Sequence, residues 1–381
     1  MTLRRHRGRM SAVVLRGHGG LDQLEYVTNA PIPTPGPEEV LVEVGACGMN
    51  NTDINTRIGW YSRSVNTATG EETATTDTDG SWTGAVTFPR IQGADPVGRI
   101  SEVGASVDRG RVGERVMIDA WLRDPHGDLA GARYLGSERD GGYAEYVTVP
   151  AANAHPVRSR LTDVELAGFP CSYSTAEHML ERAGVKERDC VLVTGASGGV
   201  GSALIQLARR RGATTIGISS PSKSADIRAL TGADHVLDRG SPSLPTEILD
   251  LSGGGVDTLA DVVGGPLFPA LFDTIRRGGN YTVAGAIGGP MVDLDLRILY
   301  LRDITMHGCT VLPPRVFTNL VGYIERGEVR PVVACTYPLD RLRSAQATFL
   351  RKEHVGAIVI EVKPPDHARS AMDGPASRLD P

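Results

Sequence analysis

Residues 191 to 213, VLVTGASGGVGSALIQLARRRGA, decide how this chain is read. An apolar run leads into a glycine-rich turn, and the turn opens a stretch with helical apolar spacing. Ala196, Gly198 and Gly201 occupy the three small-residue positions of G-x-G-x-x-G, with Ala in the first. Those positions allow a tight turn, a backbone that can approach a pyrophosphate, and close packing of helix on strand. The phosphates then rest on the helix N-terminus, where unpaired N–H groups and the helix dipole favour an anion. The next apolar run, TTIGIS at 214 to 219, completes a strand–turn–helix–strand order, the context this motif requires. The segment Ala196, Ser197, Gly198, Gly199, Val200 and Gly201 is therefore read as the core of a dinucleotide site.

The end of that second strand selects the cofactor. An NAD site places an acidic residue there, about 20 residues past the glycines, to bind the ribose hydroxyls. Here the segment reads GISSPSKSAD, with no acid before Asp226. Ser219, Ser220 and Lys223 supply small donors and a cation, which suits a 2′-phosphate. The expected cofactor is NADPH.

Working outward, HVLD, VDTLADVV and NYTVAGA are further apolar runs alternating with helical segments, so βαβ units and a parallel sheet are expected. Residues 12 to 150 differ: short β-rich runs such as EEVLVEVGACG and GGYAEYVTVP are broken by Gly and Pro. After about 310, a helical segment and the run VGAIVIEV return to that character. The expected fold class is α/β, with a β-rich domain at 1–155 plus 311–365, an inserted doubly wound parallel-sheet domain at 156–310, and a polar tail at 366–381. A Thr-, Gly- and Asp-rich stretch at 63–85 reads as a long loop and a candidate substrate lid.

Bulk properties exclude several classes. A chain of 381 residues, 40% hydrophobic and 22% charged, can bury two cores. A net charge of -5 offers no footprint for nucleic acid or an anionic membrane. No apolar run approaches the roughly 18 residues of a membrane span. The five cysteines are scattered, with no C-x-x-C pair, which points to reduced thiols in the cytoplasm. The basic start, MTLRRHRGRM, reads as a solvated arm or a transit segment.

With GASGGVG, STAEHML, GADPVGRI and HVGAIVI taken together, the chain resembles the medium-chain dehydrogenase/reductase superfamily. The resemblance is to its zinc-independent quinone oxidoreductase and ζ-crystallin branch. The stretch ACGMNNTDINTRIGWYS at 46–62 carries that branch's N-x-x-D/E-x-x-x-R-x-G-x-Y spacing. The resemblance implies a GroES-like catalytic domain with an inserted Rossmann domain. It also implies cofactor contacts at Asn50, Thr175, Val263, Gly264, Ala284, Gly285 and Ala286, the last five at carboxyl ends of parallel strands.

Zinc enzymes of the superfamily hold the catalytic ion through a Cys, a His–Glu pair and a second Cys. Cys47 and Cys171 match the outer positions, but the middle reads Gly93-Ala94-Asp95. Two thiols fall short of the three protein ligands a catalytic zinc needs. The clustered cysteines of a structural zinc lobe have no counterpart in 119–143. No metal is expected, and both cysteines are read as packing residues. Without a Lewis acid, hydride delivery to an already conjugated carbonyl is the easier chemistry. Tyr61 is the expected proton donor, and Asn50 the expected partner of the nicotinamide ribose or the substrate oxygen. Asp53 and Arg57, four residues apart, read as an ion pair that fixes the loop. The expectation is a homodimeric, NADPH-dependent reductase of quinones or enones, with no nucleic-acid or membrane partner. An enoyl-thioester reductase and a non-catalytic NADPH-binding protein are the alternatives.

Overall fold

The computed structural model describes residues 8–70, 86–124, 127 and 129–362. Its first sheet is built around β1 (Glu39–Met49), whose Val40, Leu41, Val42 and Val44 are fully buried. At the end of β1 the chain turns into α1 (Asn51–Ile58), with Asn50 as N-cap and Gly59 closing the helix at a φ of 71°. That positive φ is where glycine costs least. Strand β2 (Asp95–Val103) runs antiparallel to β1. Gly98 permits their close approach, since a Cβ there would fall 1.9 Å from the Glu43 carbonyl oxygen.

The chain then enters the second sheet. Helix α2 (Pro170–Arg182) crosses to it, after a short separate turn at Asp163–Ala167. The run 161–184 thus divides into two helices, and Pro170, which lacks an N–H, opens the second. Six strands follow: β3 (Cys190–Val193), β4 (Thr214–Ser219), β5 (His235–Asp238), β6 (Val256–Asp261), β7 (Ile275–Val283) and β8 (Thr305–Gly308). Helix α3 (Gly199–Arg210) joins β3 to β4. The spatial order is β5-β4-β3-β6-β7-β8, every pair parallel. The order reverses beside β3, so the sheet has its crevice there, at the carboxyl ends of β3 and β6.

Past this sheet the chain returns to the first one. β9 (Val333–Pro338), α4 (Leu342–Arg351) and β10 (Ala357–Glu361) follow, and β10 pairs antiparallel with β1 along Met49 to Ala46. The architecture is an α/β fold in which a GroES-like β domain carries a Rossmann-like parallel sheet. No helix among the described residues is long and apolar enough to cross a membrane.

One expectation about local contacts needs correction. Asp53 and Arg57 engage separate partners rather than forming the anticipated pair. Asp53 accepts from Asn50 N–H, Gly93 N–H and Tyr143 Oη, whereas Arg57 donates to Gln346 Oε1 and the Gly19 carbonyl. The reason is burial: inside a helix that packs on both flanks, each charge finds polar groups outside the helix. The basic start up to residue 7, most of the 63–85 stretch (71–85) and the tail at 366–381 lie outside the described residues.

Candidate active site

The crevice is one continuous cleft with two chambers. The larger of the two, about 290 Å³, follows the glycine turn. Ser197, Gly198, Gly199, Val200 and Gly201 form its floor, with Ser219, Ser220 and Lys223 at one end and Val263 and Gly264 at the side. Two of these glycines stand where a side chain would collide. A Cβ on Gly201 would lie 2.2 Å from the Gly195 carbonyl oxygen, and one on Gly199 would lie 2.4 Å from Ser172 Oγ. Asp261 holds the facing rim: its Oδ1 accepts from Thr194 Oγ1 and from the Val263 and Gly264 amides. Ala196 departs from the expected contact set. It is fully buried behind the turn, donates its N–H to the Ile218 carbonyl, and acts in helix–strand packing.

Sequence reasoning missed four basic residues of this chamber, Arg239, Arg351, Lys352 and His354, which join Lys223. Among its described lining residues none is Asp or Glu. Lys352 stands at a φ of 54° just past α4 and donates to Asn51 Oδ1 at 2.8 Å, with its ammonium 3.7 Å from the centre of the Phe349 ring. Lys223 Nζ donates to the Lys352 carbonyl and, at 3.4 Å, to Ser197 Oγ. Burial, and next the charge of Lys223, push Lys352 down to about 7. Burial, then Lys352 and Lys223, push His354 down to about 4. Like charges gathered in a groove without a carboxylate form a site for an anion. Lys352 is 129 positions from Lys223, so only the packing of α4 against the glycine turn could reveal the pairing.

The outer chamber, about 150 Å³, opens beside the Asn51, Gly199 and Val200 that both chambers share. Asn50, Tyr61, Thr175, Ala284, Gly285 and Ala286 all line it. Trp60, Trp121 and Tyr134 make its wall aromatic, with Trp121 and Tyr134 rings 4.7 Å apart. Tyr61 is half-buried and bonded to Thr52 and Asn55; burial drives its hydroxyl up to about 12 despite those bonds. Asn50 donates from Nδ2 to Asp95 Oδ2 at 2.9 Å, and its Oδ1 accepts from Ser172 Oγ at 3.4 Å. The start of the long loop reaches across the mouth: Thr69 donates its N–H to the Ile287 carbonyl and its hydroxyl to Asn55 Oδ1.

At the metal position, Cys47 and Ala94 are buried, and Cys171 lines the outer chamber. Cys171 is thus a wall residue of the cleft and not the interior packing residue expected. Burial holds both thiols above the ordinary thiol range, more so because Asp95 lies near. The three matching positions thus carry two thiols and a methyl group, and the neighbouring Asp95 carboxyl is engaged by Asn50 Nδ2 and the Cys171 N–H. Among the described residues no three His, Cys, Asp or Glu side chains cluster to hold a metal ion.

Comparison with known proteins agrees with this layout. Residues 36–159 match the alcohol dehydrogenase GroES-like domain, and residues 199–326 match the zinc-binding dehydrogenase family. A solved protein of Sinorhizobium meliloti 1021, assigned as an alcohol dehydrogenase, is 47% identical. The match covers 93% of this chain and 96% of that one, with a TM-score of 0.84. The NAD-dependent alcohol dehydrogenase of Sulfurisphaera tokodaii is 28% identical, over 87% of this chain and 94% of its own. The acryloyl-coenzyme A reductase of Metallosphaera sedula is also 28% identical, over 92% and 99%.

Proposed function

This chain belongs to the medium-chain dehydrogenase/reductase superfamily, and on that premise we propose that it is an NADPH-dependent reductase of conjugated carbonyls, quinones or enones, that works without zinc. One observation carries the reading: a basic groove over the glycine turn adjoins an aromatic chamber lined by Tyr61, and buried Ala94 stands where a metal ligand would.

NADPH, when bound, supplies the hydride. Lys223, Ser219 and Ser220 would take its 2′-phosphate, and the α3 N-terminus with Lys352 its pyrophosphate. Ala284, Gly285 and Ala286 would leave space for the nicotinamide, and Thr175 and Asn50 would bond its polar edge. The aromatic wall admits a flat acceptor and excludes water. Hydride arriving at the β-carbon of an enone sends an electron pair to the carbonyl oxygen, and the Tyr61 O–H would give that oxygen a proton. The described start of the 63–85 loop bridges Asn55 and Ile287, which supports a lid that bears on substrate choice.

A second reading has support of its own, because a relative aligned over nearly its whole length is an acryloyl-coenzyme A reductase. The same proton donor serves an enoyl thioester. A panel of quinones, enones, enoyl-CoA esters and saturated ketones, followed by loss of reduced-nicotinamide absorbance, separates these possibilities. Turnover of quinone or enone at the highest kcat/KM supports the proposal; a marked preference for enoyl-CoA moves it to the second reading. Turnover confined to saturated ketones, or no turnover at all, overturns it.

Purified protein is expected to hold no stoichiometric zinc, and a chelator should leave activity unchanged. One tightly held zinc per chain by elemental analysis would refute this. Assembly is expected to be dimeric. Leu296, Tyr300 and Leu301 are 56–63% exposed beside the rim strand β8, an apolar surface suited to a two-fold contact. Sedimentation showing monomer alone at micromolar concentration would count against it.

A further inference from the structure

Behind Asn50 lies a buried carboxylate for which the proposed reduction has no direct use. Asp95, at the start of β2 and 2% exposed, accepts from Asn50 Nδ2 at 2.9 Å and, through its other oxygen, from the Cys171 N–H at 3.1 Å. On the far side of the same amide, Ser172 Oγ donates to Asn50 Oδ1 at 3.4 Å. Three elements therefore converge on one side chain: the head of α1, the head of β2 and the first turn of α2.

The two ends of an amide are chemically opposite, Oδ1 accepting and Nδ2 donating, and a half-turn exchanges them. Ser172 cannot settle which way round the amide stands, because a hydroxyl donates and accepts with equal ease. Asp95 can. Its Oδ1 already accepts from the Cys171 N–H, and the Oδ2 that faces Asn50 offers lone pairs as a carboxylate oxygen, so Nδ2 rather than Oδ1 of Asn50 meets it without two lone pairs opposing. We infer that Asp95 is a positioning residue, fixing which end of the Asn50 amide faces the nicotinamide and the substrate oxygen; this rests on the reading of the cleft as a hydride-transfer site.

Ordinary packing needs would be met by any polar residue of this size. Orientation needs one that accepts on both sides.

The test follows from that difference. Asp95→Asn keeps the shape and turns one acceptor into a donor. The introduced amide can offer its oxygen to the Cys171 N–H or to Asn50 but not to both, and Asn50 is driven to flip. The expected result is a fall in kcat of roughly 10-fold or more, with KM for the acceptor and Kd for NADPH within about twofold of the parent. The double exchange Asp95→Asn/Asn50→Asp restores an N–H···O contact of reversed polarity, so thermal stability should return while kcat stays low. Recovery of kcat along with stability would make Asp95 merely structural and overturn the inference. Asn50→Ala separates the two levels of the argument. A depressed kcat for Asn50→Ala beside an unchanged one for Asp95→Asn defeats the positioning role alone. An unchanged kcat for Asn50→Ala defeats it together with the role proposed for Asn50.

Discussion

Tyr61→Phe is expected to lower kcat on the best conjugated acceptor by roughly 10²-fold or more, with NADPH affinity unchanged. The substitution removes one hydroxyl from the outer chamber and little else. Negative charge grows on the acceptor oxygen only as hydride arrives, so a donor aimed there stabilises the transition state more than the ground state. Burial holds the Tyr61 hydroxyl up at about 12, so it carries its proton throughout the neutral range. The pH profile of kcat in the parent should show no basic limb from Tyr61 below about pH 10, two units under that value. An unchanged kcat for Tyr61→Phe would remove Tyr61 from the mechanism, with Asn50 or a bound water next in line.

The second large effect concerns the groove. Lys352→Met should weaken NADPH and NADH alike, by roughly 10-fold or more, as expected for losing a charge-assisted contact of about 1.5–3 kcal/mol. Lys223→Ala should act differently, narrowing the gap between NADPH and NADH through loss of a 2′-phosphate partner. The pH dependence has a definite sign. Lys352 is lowered to about 7 in the free protein, so it is charged below that pH and neutral above it. NADPH affinity should therefore fall as pH rises through 7, and this slope should flatten in Lys352→Met. Calorimetric titration of both cofactors at several pH values measures all three effects. Equal affinity of the parent for NADH and NADPH would contradict the assignment of Ser219, Ser220 and Lys223. An unchanged affinity for both cofactors in Lys352→Met would contradict that of Lys352.

How much of this was legible in the residues can be argued site by site. The parallel sheet was, because strand and helix periods alternate without a break from Cys190 onward and the glycine turn punctuates them. The floor of the glycine-turn groove was as well, since local backbone chemistry at Ser197 to Gly201 determines it. Ala196 was misplaced because a motif gives spacing and not facing: its methyl group fills the interior behind the turn. The basic roof of the groove was invisible. Lys352 is an unremarkable cation after a helix until α4 folds over the turn, with Gly356 N–H bonding the Ser197 carbonyl at 2.8 Å. Asp95 was equally hidden, since a residue noted only for not being Glu becomes, once folded, the partner of Asn50 and Cys171. Arg57 shows the limit of helical spacing as a guide. Four residues from Asp53 and fully buried, it reaches Gln346 on α4 instead.

The most direct test of a metal-free conjugate reduction is where the hydride lands. Protein shown by elemental analysis to be free of zinc is supplied with NADPH deuterated at C4 and a simple enone. The product is then read by NMR. Deuterium at the β-carbon of a saturated ketone is the predicted result. Deuterium at the former carbonyl carbon of an allylic alcohol, the product of an alcohol dehydrogenase running in reverse, would contradict the account.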